Sequence, residues 1–142
     1  MATLKVEIVS PEAPLWTGSA TALIARSSEG DFTVLAGHTA TVGDVVASVV
    51  RVQTADEGEI AFAVHSGFFQ VGHDLEPDTT LATVLASVAE RTTEIDVARA
   101  QRAKEAAETQ LSAAAKSDDP LSERLAQEAL VRAELRLSAA AK

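Results

Sequence analysis

Leu4, Val6 and Ile8 alternate with Lys5 and Glu7, the period-two pattern of a strand with one face buried. Pro11 and Pro14 interrupt it. Thr21 to Ala25 predict a second short apolar strand that ends at the turn Ser27-Ser28-Glu29-Gly30, and Phe32, Val34 and Leu35 predict a third. The β-branched run Val42 to Val52 predicts a long strand. Ile60, Phe62 and Val64 alternate on the return from the turn Ala55-Asp56-Glu57-Gly58, so the two read as a hairpin. Gly67, Phe69 and Val71, then Thr80 to Val88, add two more strands around the turn-rich segment His73 to Asp78. Short strands with turn signals about every ten residues predict a small antiparallel β-sandwich or flattened barrel of about ten strands at most.

Near residue 90 the pattern changes period. Ile95, Ala98, Arg102 and Glu105 fall at helical spacing, and no Gly or Pro follows until Pro120. Ser117-Asp118-Asp119-Pro120 reads as a stop and a restart, with Asp119 capping a second helix and Pro120 at its first position, where the missing N–H costs nothing. That helix is predicted to run to about Ala140, and so short a connection predicts an antiparallel two-helix hairpin. The chain is therefore read as α+β, a sandwich domain at 1–90 and a helical hairpin at 91–142. Ala103, Ala106, Ala107 and Ala114 are expected to face Ala126, Ala129 and Ala133, with Leu111, Leu125, Leu130 and Leu137 as the larger contacts. Alanine removes little apolar area from water, at about 25 cal/mol per Å², yet it is the best helix former. Two expectations stand side by side: a weakly closed pair that hinges without melting, and a permanently packed tail.

Charge divides at the same place. Through Glu90 three basic residues stand against twelve acidic ones, while from Arg91 onward nine stand against nine, so the whole −9 lies in the β part. Such a surface lacks the clustered Lys and Arg that neutralise phosphates, which argues against nucleic acid as a partner. Without cysteine there is no disulfide framework, thiol nucleophile or cysteine metal site, as in a reducing compartment. The N-terminus has no leader pattern, and no segment offers the roughly 20 apolar residues of a membrane span.

Candidate chemistry is sparse. Asp56, Glu57 and Glu59 read as a solvated turn, and Ser66 and His65, adjacent on a strand, point to opposite faces. His38 has two readings, a general base or metal ligand and an exposed residue of a glycine turn; the three histidines lack close metal spacing. Asp96 at a helix start is favoured by the helix dipole, and an Asp96–Arg99 pair adds a small increment. Arg132 and Arg136 share one helix face and repel unless partnered, for which Glu128 is available. No phosphate loop, nucleophile elbow, zinc or dinucleotide signature occurs.

The stretch Gly30-Asp31-Phe32-Thr33-Val34-Leu35-Ala36-Gly37-His38-Thr39 resembles the segment of the epsilon subunit of F-type ATP synthases where a turn glycine leads into a short apolar strand and a Gly-His pair. Val9-Ser10-Pro11-Glu12, Ser66-Gly67-Phe68, Val84-Leu85-Ala86 and Ile95-Asp96 follow in the family's order, so the resemblance covers nearly the whole chain. Ala36, Ser66 and Ser87 depart from it, where proline, glycine and an acid are usual, and the His73 to Thr80 turn is long. The resemblance implies a non-catalytic central-stalk subunit whose sandwich binds the gamma subunit and the rotor-ring c subunits. The loop carrying Asp31 and His38 would face that ring. It implies C-terminal helices that reach the alpha/beta catalytic head and block rotation in the hydrolysis direction, and a peripheral place on the cytoplasmic face of the membrane without direct insertion.

Glu90, Ile95, Asp96, Arg99, Ala100, Arg132 and Arg136 are similar to the ATP-binding pattern of some bacterial epsilon subunits, which implies ATP as a regulatory ligand and no required cofactor. Guanidinium groups suit phosphate oxygens, and a carboxylate accepts from an adenine amino group. Helix pairing alone produces the same residues, so both readings stay open. A free-standing nucleotide sensor whose hairpin closes on its ligand is the alternative function.

Overall fold

The structure, a computed structural model, describes residues 2–140 and divides into two compact units, one ending at Arg91 and the other beginning at Thr92. The first unit holds eight strands: β1 (Thr3–Val9), β2 (Pro14–Ala20), β3 (Ala22–Ser27), β4 (Gly30–Val34), β5 (Thr41–Val45), β6 (Ser48–Gln53), β7 (Glu59–His73) and β8 (Thr79–Arg91). They run in the order β2-β1-β8-β7-β6-β3-β4, with β5 paired separately to β7. The sheet folds into a sandwich and does not close, so the barrel alternative falls away. Nor is it antiparallel throughout, because β1 runs parallel to β8, Leu4 opposite Thr80 and Val9 opposite Leu85.

β7 makes the sandwich. Its first half, Glu59 to Val64, pairs with β6, and its second half, Gly67 to Val71, pairs with β5. Between them the register with β8 shifts at Val64 to Gly67, a bulge that changes which side chains face inward. Ile60, Phe62 and Val64 are buried before it and Phe69 and Val71 after it, a switch from even to odd positions. The two return strands expected from the sequence are thus one bent strand. The expected strand Val42 to Val52 is in turn two, because the chain leaves β5 at Val46, whose N–H bonds the Arg26 carbonyl at 3.0 Å.

β2 carries no apolar alternation and was not expected. It lies at the sheet edge, where Pro14 at its first position removes no ladder bond that matters, and it buries none of its residues fully. Leu4, Val6 and Ile8 of β1, Leu23 of β3, Val34 of β4, Val50 and Val52 of β6, and Val84 of β8 also belong to the core, all 2 % exposed or less.

The second unit opens with a 3-10 turn (Thr92–Glu94), followed by α1 (Val97–Ser117) and α2 (Pro120–Ala140). Asp96 is the N-cap of α1, its carboxylate accepting from the Arg99 N–H at 3.0 Å. Asp118 ends α1 in the left-handed conformation, φ 56°. Asp119 caps α2 through the Leu121 N–H at 3.2 Å and the Ser122 hydroxyl at 2.7 Å. The facing residues differ from the expected set. Ala100, Ala107 and Ala114 are buried on α1 at a seven-residue repeat, and on α2 Ala126 and Ala133 keep that spacing while Ala139 follows six residues on. Ala103 and Ala106 lie on exposed positions, and Leu125 is 54 % exposed. A seven-residue spacing keeps one narrow stripe in register, whereas the residues four apart that were grouped with it rotate out of the seam.

Candidate functional site

The tip of the β3–β4 hairpin is pinned by its own side chains. Arg26 donates from Nε to Asp31 Oδ1 at 2.6 Å, and Ser27 Oγ donates to the Gly30 carbonyl at 3.1 Å. Hydrogen bonding to Arg26 and its positive charge hold the Asp31 carboxyl below the usual range, with Arg51 adding a smaller pull. Asp31 and His38 do not share a loop. β4 separates them, Asp31 at its start and His38 beyond its end. There Gly37, at φ 86°, gives its N–H to Thr80 Oγ1 at 2.8 Å, and the His38 N–H closes a turn on the Leu35 carbonyl at 3.1 Å. The His38 ring places Nδ1 2.7 Å from the Thr39 carbonyl, which puts a proton on that nitrogen. Among the described residues no group of three or more His, Asp or Glu is arranged to hold a metal.

An open groove on the outer sheet face was not anticipated from the sequence. Register places Asp44, Phe68, Leu85 and Val9 side by side across β5, β7, β8 and β1. Phe68 is 62 % exposed and Leu85 48 %, and with Pro11 and Val46 they line about 830 Å³ of mostly apolar space. Its rim carries one acid, Asp44, and the neutral pair Ser66 and Ser87. Ser87 donates to the Ser66 carbonyl at 2.9 Å and sits 2.8 Å from the Ser66 hydroxyl. Gly67 is required at the bulge, because a Cβ there would strike the Leu85 carbonyl oxygen. The available signal was the doublet Phe68-Phe69, since adjacent strand residues face opposite sides and one ring had to lie outside the core.

Of the seven residues of the nucleotide pattern, Glu90 belongs to the sandwich unit and the other six to the helical unit. Asp96 uses Oδ1 on the Arg99 backbone, so the expected Asp96–Arg99 side-chain pair is a helix cap instead. Ile95 and Ala100 are buried, Arg99 and Arg132 exposed, and Arg136 half-buried. Glu128 does not serve Arg132; its ion pair, 3.7 Å, runs to Arg124.

A β-sandwich unit followed by a pair of long helices defines the class of the chain, a two-part α+β protein. The family models for the ATP synthase Delta/Epsilon chain match both parts, the beta-sandwich domain over residues 3–92 and the long alpha-helix domain over 93–141. The ATP synthase epsilon chain of Streptomyces griseus is 37 % identical over 115 residues, 81 % of this chain and 88 % of the relative. That of Rhodococcus jostii is 40 % identical over 102 residues, 71 % of this chain and 79 % of the relative. A chain in the Euglena gracilis mitochondrial ATP synthase structure, OSCP/F1/c-ring in rotational state 1, has the same fold, with TM-score 0.80 and 24 % identity over all of this chain and 83 % of its own. The chain belongs to the epsilon-subunit family of F-type ATP synthases, a subunit of the central stalk.

Proposed function

We propose that the sandwich docks this subunit onto the gamma subunit and the rotor-ring c subunits, and that the helical pair brakes ATP hydrolysis by reaching toward the alpha/beta head. The observation that carries the reading is the alanine seam. Each helix is capped by its own aspartate and held by its own propensity, while the surface the two share is built of methyl groups. Such a pair changes partners without melting. The exposed Phe68 and Leu85 give the sandwich an apolar surface suited to a protein neighbour. No helix among the described residues is long and apolar enough to cross a membrane, which suits attachment through the complex at its cytoplasmic face.

ATP shifts the arm only by binding one arrangement more tightly than the other. Asp96 Oδ2 is left over from capping for an adenine amine, and Arg99, Arg132 and Arg136 supply guanidinium groups for phosphates. Family membership favours this over the free-standing nucleotide sensor, since the relatives bear the name of a chain of the synthase. The test is ATPase activity of the reconstituted complex carrying the full chain, a chain truncated after Glu90, or Arg132→Ala/Arg136→Ala. Truncation is expected to raise hydrolysis, and the double variant to abolish any dependence of the brake on ATP. Hydrolysis unchanged by truncation would remove the braking role.

A further inference from the structure

Asp44 belongs to two places at once. As one end of the row Asp44, Phe68, Leu85 and Val9 it lines the outer groove, and among the described residues it is the only charged one that does. Its carboxylate also reaches the β3–β4 turn, sixteen residues away in sequence. Oδ1 accepts from the Ser28 hydroxyl at 3.0 Å and Oδ2 from the Ser28 N–H at 3.2 Å. The Val46 N–H, on the Arg26 carbonyl at 3.0 Å, keeps β5 beside the base of that hairpin. Ser28 itself is exposed and does not line the groove. Among the described residues it alone donates to the half-buried carboxylate, which leaves solvent in the open groove to satisfy the rest. An occupant of the groove takes that solvent away. A carboxylate that loses water and keeps its donors is held more tightly by them, because a hydrogen bond strengthens as its surroundings dry. One that loses water and has no donor costs the desolvation penalty in full. Filling the groove and closing the Asp44–Ser28 latch are therefore coupled, and such coupling is reciprocal.

We propose that Asp44 is a positioning residue through which docking in the groove and order in the β3–β4 turn support each other. A neutral apolar segment of the gamma subunit, seated on Phe68 and Leu85, tightens the Ser28 latch. The latch in turn lowers the cost of drying that seat. The proposal rests on the docking reading above and adds to it a residue outside the contact, Ser28, on which the contact depends. The lining fits a neutral apolar occupant because its one charge is engaged within the chain and its other side chains are apolar or bear a serine hydroxyl.

The experiment titrates the full chain with the gamma subunit by calorimetry, for the parent, Ser28→Ala, Asp44→Ala and the double variant, and follows amide exchange at residue 28 with and without gamma. Ser28→Ala removes a donor that lies outside the groove and leaves the carboxylate inside it. Binding is expected to weaken about 3- to 10-fold, the scale of one net hydrogen bond. Asp44→Ala removes latch and charge together and is expected to bind as tightly as the parent or more so. In the double variant the loss caused by Ser28→Ala disappears. Gamma is expected to slow exchange at residue 28 in the parent and not in Asp44→Ala. Undiminished binding by Ser28→Ala, a loss in Asp44→Ala as large as in Ser28→Ala, or slowing by gamma that survives Asp44→Ala would each overturn the coupling and leave the docking reading in place. Phe68→Ala, measured alongside, separates the two. It is expected to weaken binding at least as much as Ser28→Ala, and if it has no effect the proposal falls together with the docking of gamma in this groove.

Discussion

The two units leave water by opposite means. The sandwich buries Phe62, Ile8, Leu23 and seven valines almost completely, whereas every residue buried along α1 and α2 is an alanine. A fully buried Val, Leu, Ile or Phe contributes about 1.5–3 kcal/mol, and a single methyl or methylene nearer 0.8. The sandwich is thus held by what its layers share, and the helical pair chiefly by what each helix supplies alone. The first kind of stability suits the docking platform and the second the moving brake of the proposed function.

The largest expected effect lies in the sandwich. Phe62, 1 % exposed, sits in the half of β7 that pairs with both β6 and β8. Phe62→Ala is expected to cost about 3–5 kcal/mol, read by urea unfolding followed through Trp16, the only tryptophan. A loss under about 1 kcal/mol would mean that the layers are not held as described. The matching change in the arm enlarges a side chain. Ala107→Leu forces the seam apart at a position 2 % exposed, at about 1–3 kcal/mol against closure. Because the chain has no cysteine, spin labels on cysteines placed at exposed Glu105 and Glu134 report the helix separation. Wider spacing with an unchanged Trp16 transition is the expected pair of results, and an unchanged spacing would show that the seam tolerates bulk and is not a close-packed one.

The same contrast decides what the sequence made legible. β1, β3 and the β6–β7 hairpin were readable because each buries one face, so Leu4, Val6 and Ile8, or Ile60, Phe62 and Val64, mark it by alternation. β2 buries neither face and leaves no such mark. The bulge in β7 was hidden because a change of phase looks like an end and a new beginning. In the arm, Asp119 and Pro120 announce the turn through local chemistry. The choice of Ala107 over Ala106 depends on the crossing of two helices, which an alanine-rich sequence does not encode residue by residue. The candidate site followed the same rule. Asp31 and His38 stood out by motif, but the Asp44 latch and the Phe68–Leu85 row join residues distant in sequence, and only folding reveals them.

The smallest expected effect separates the two units by acid. The Ser122 hydroxyl, followed by the Ser122 and Leu121 backbone N–H groups, holds the Asp119 carboxyl below its usual range. Asp31 is held down chiefly by the hydrogen bond and charge of Arg26. In both cases the folded value lies below the unfolded one, about 3.9. The stability each contributes is therefore complete above that value and disappears as the pH falls through the depressed folded value. Helix content measured by circular dichroism on the full chain reports the arm, and Trp16 reports the sandwich. Asp119→Asn keeps a good cap at neutral pH but has no proton to gain, so its helix signal should fall less below pH 4 than that of the parent chain. Salt then sharpens the distinction. At about 0.5 M, where the screening length is a few ångströms, the exposed Arg26–Asp31 pair should lose part of its acid dependence. The Asp119 cap, built from neutral donors at hydrogen-bond distance, should keep its own. If Asp119→Asn responds to acid as the parent does, the cap does not hold α2, and the stability of the helical pair would have to come from the seam after all.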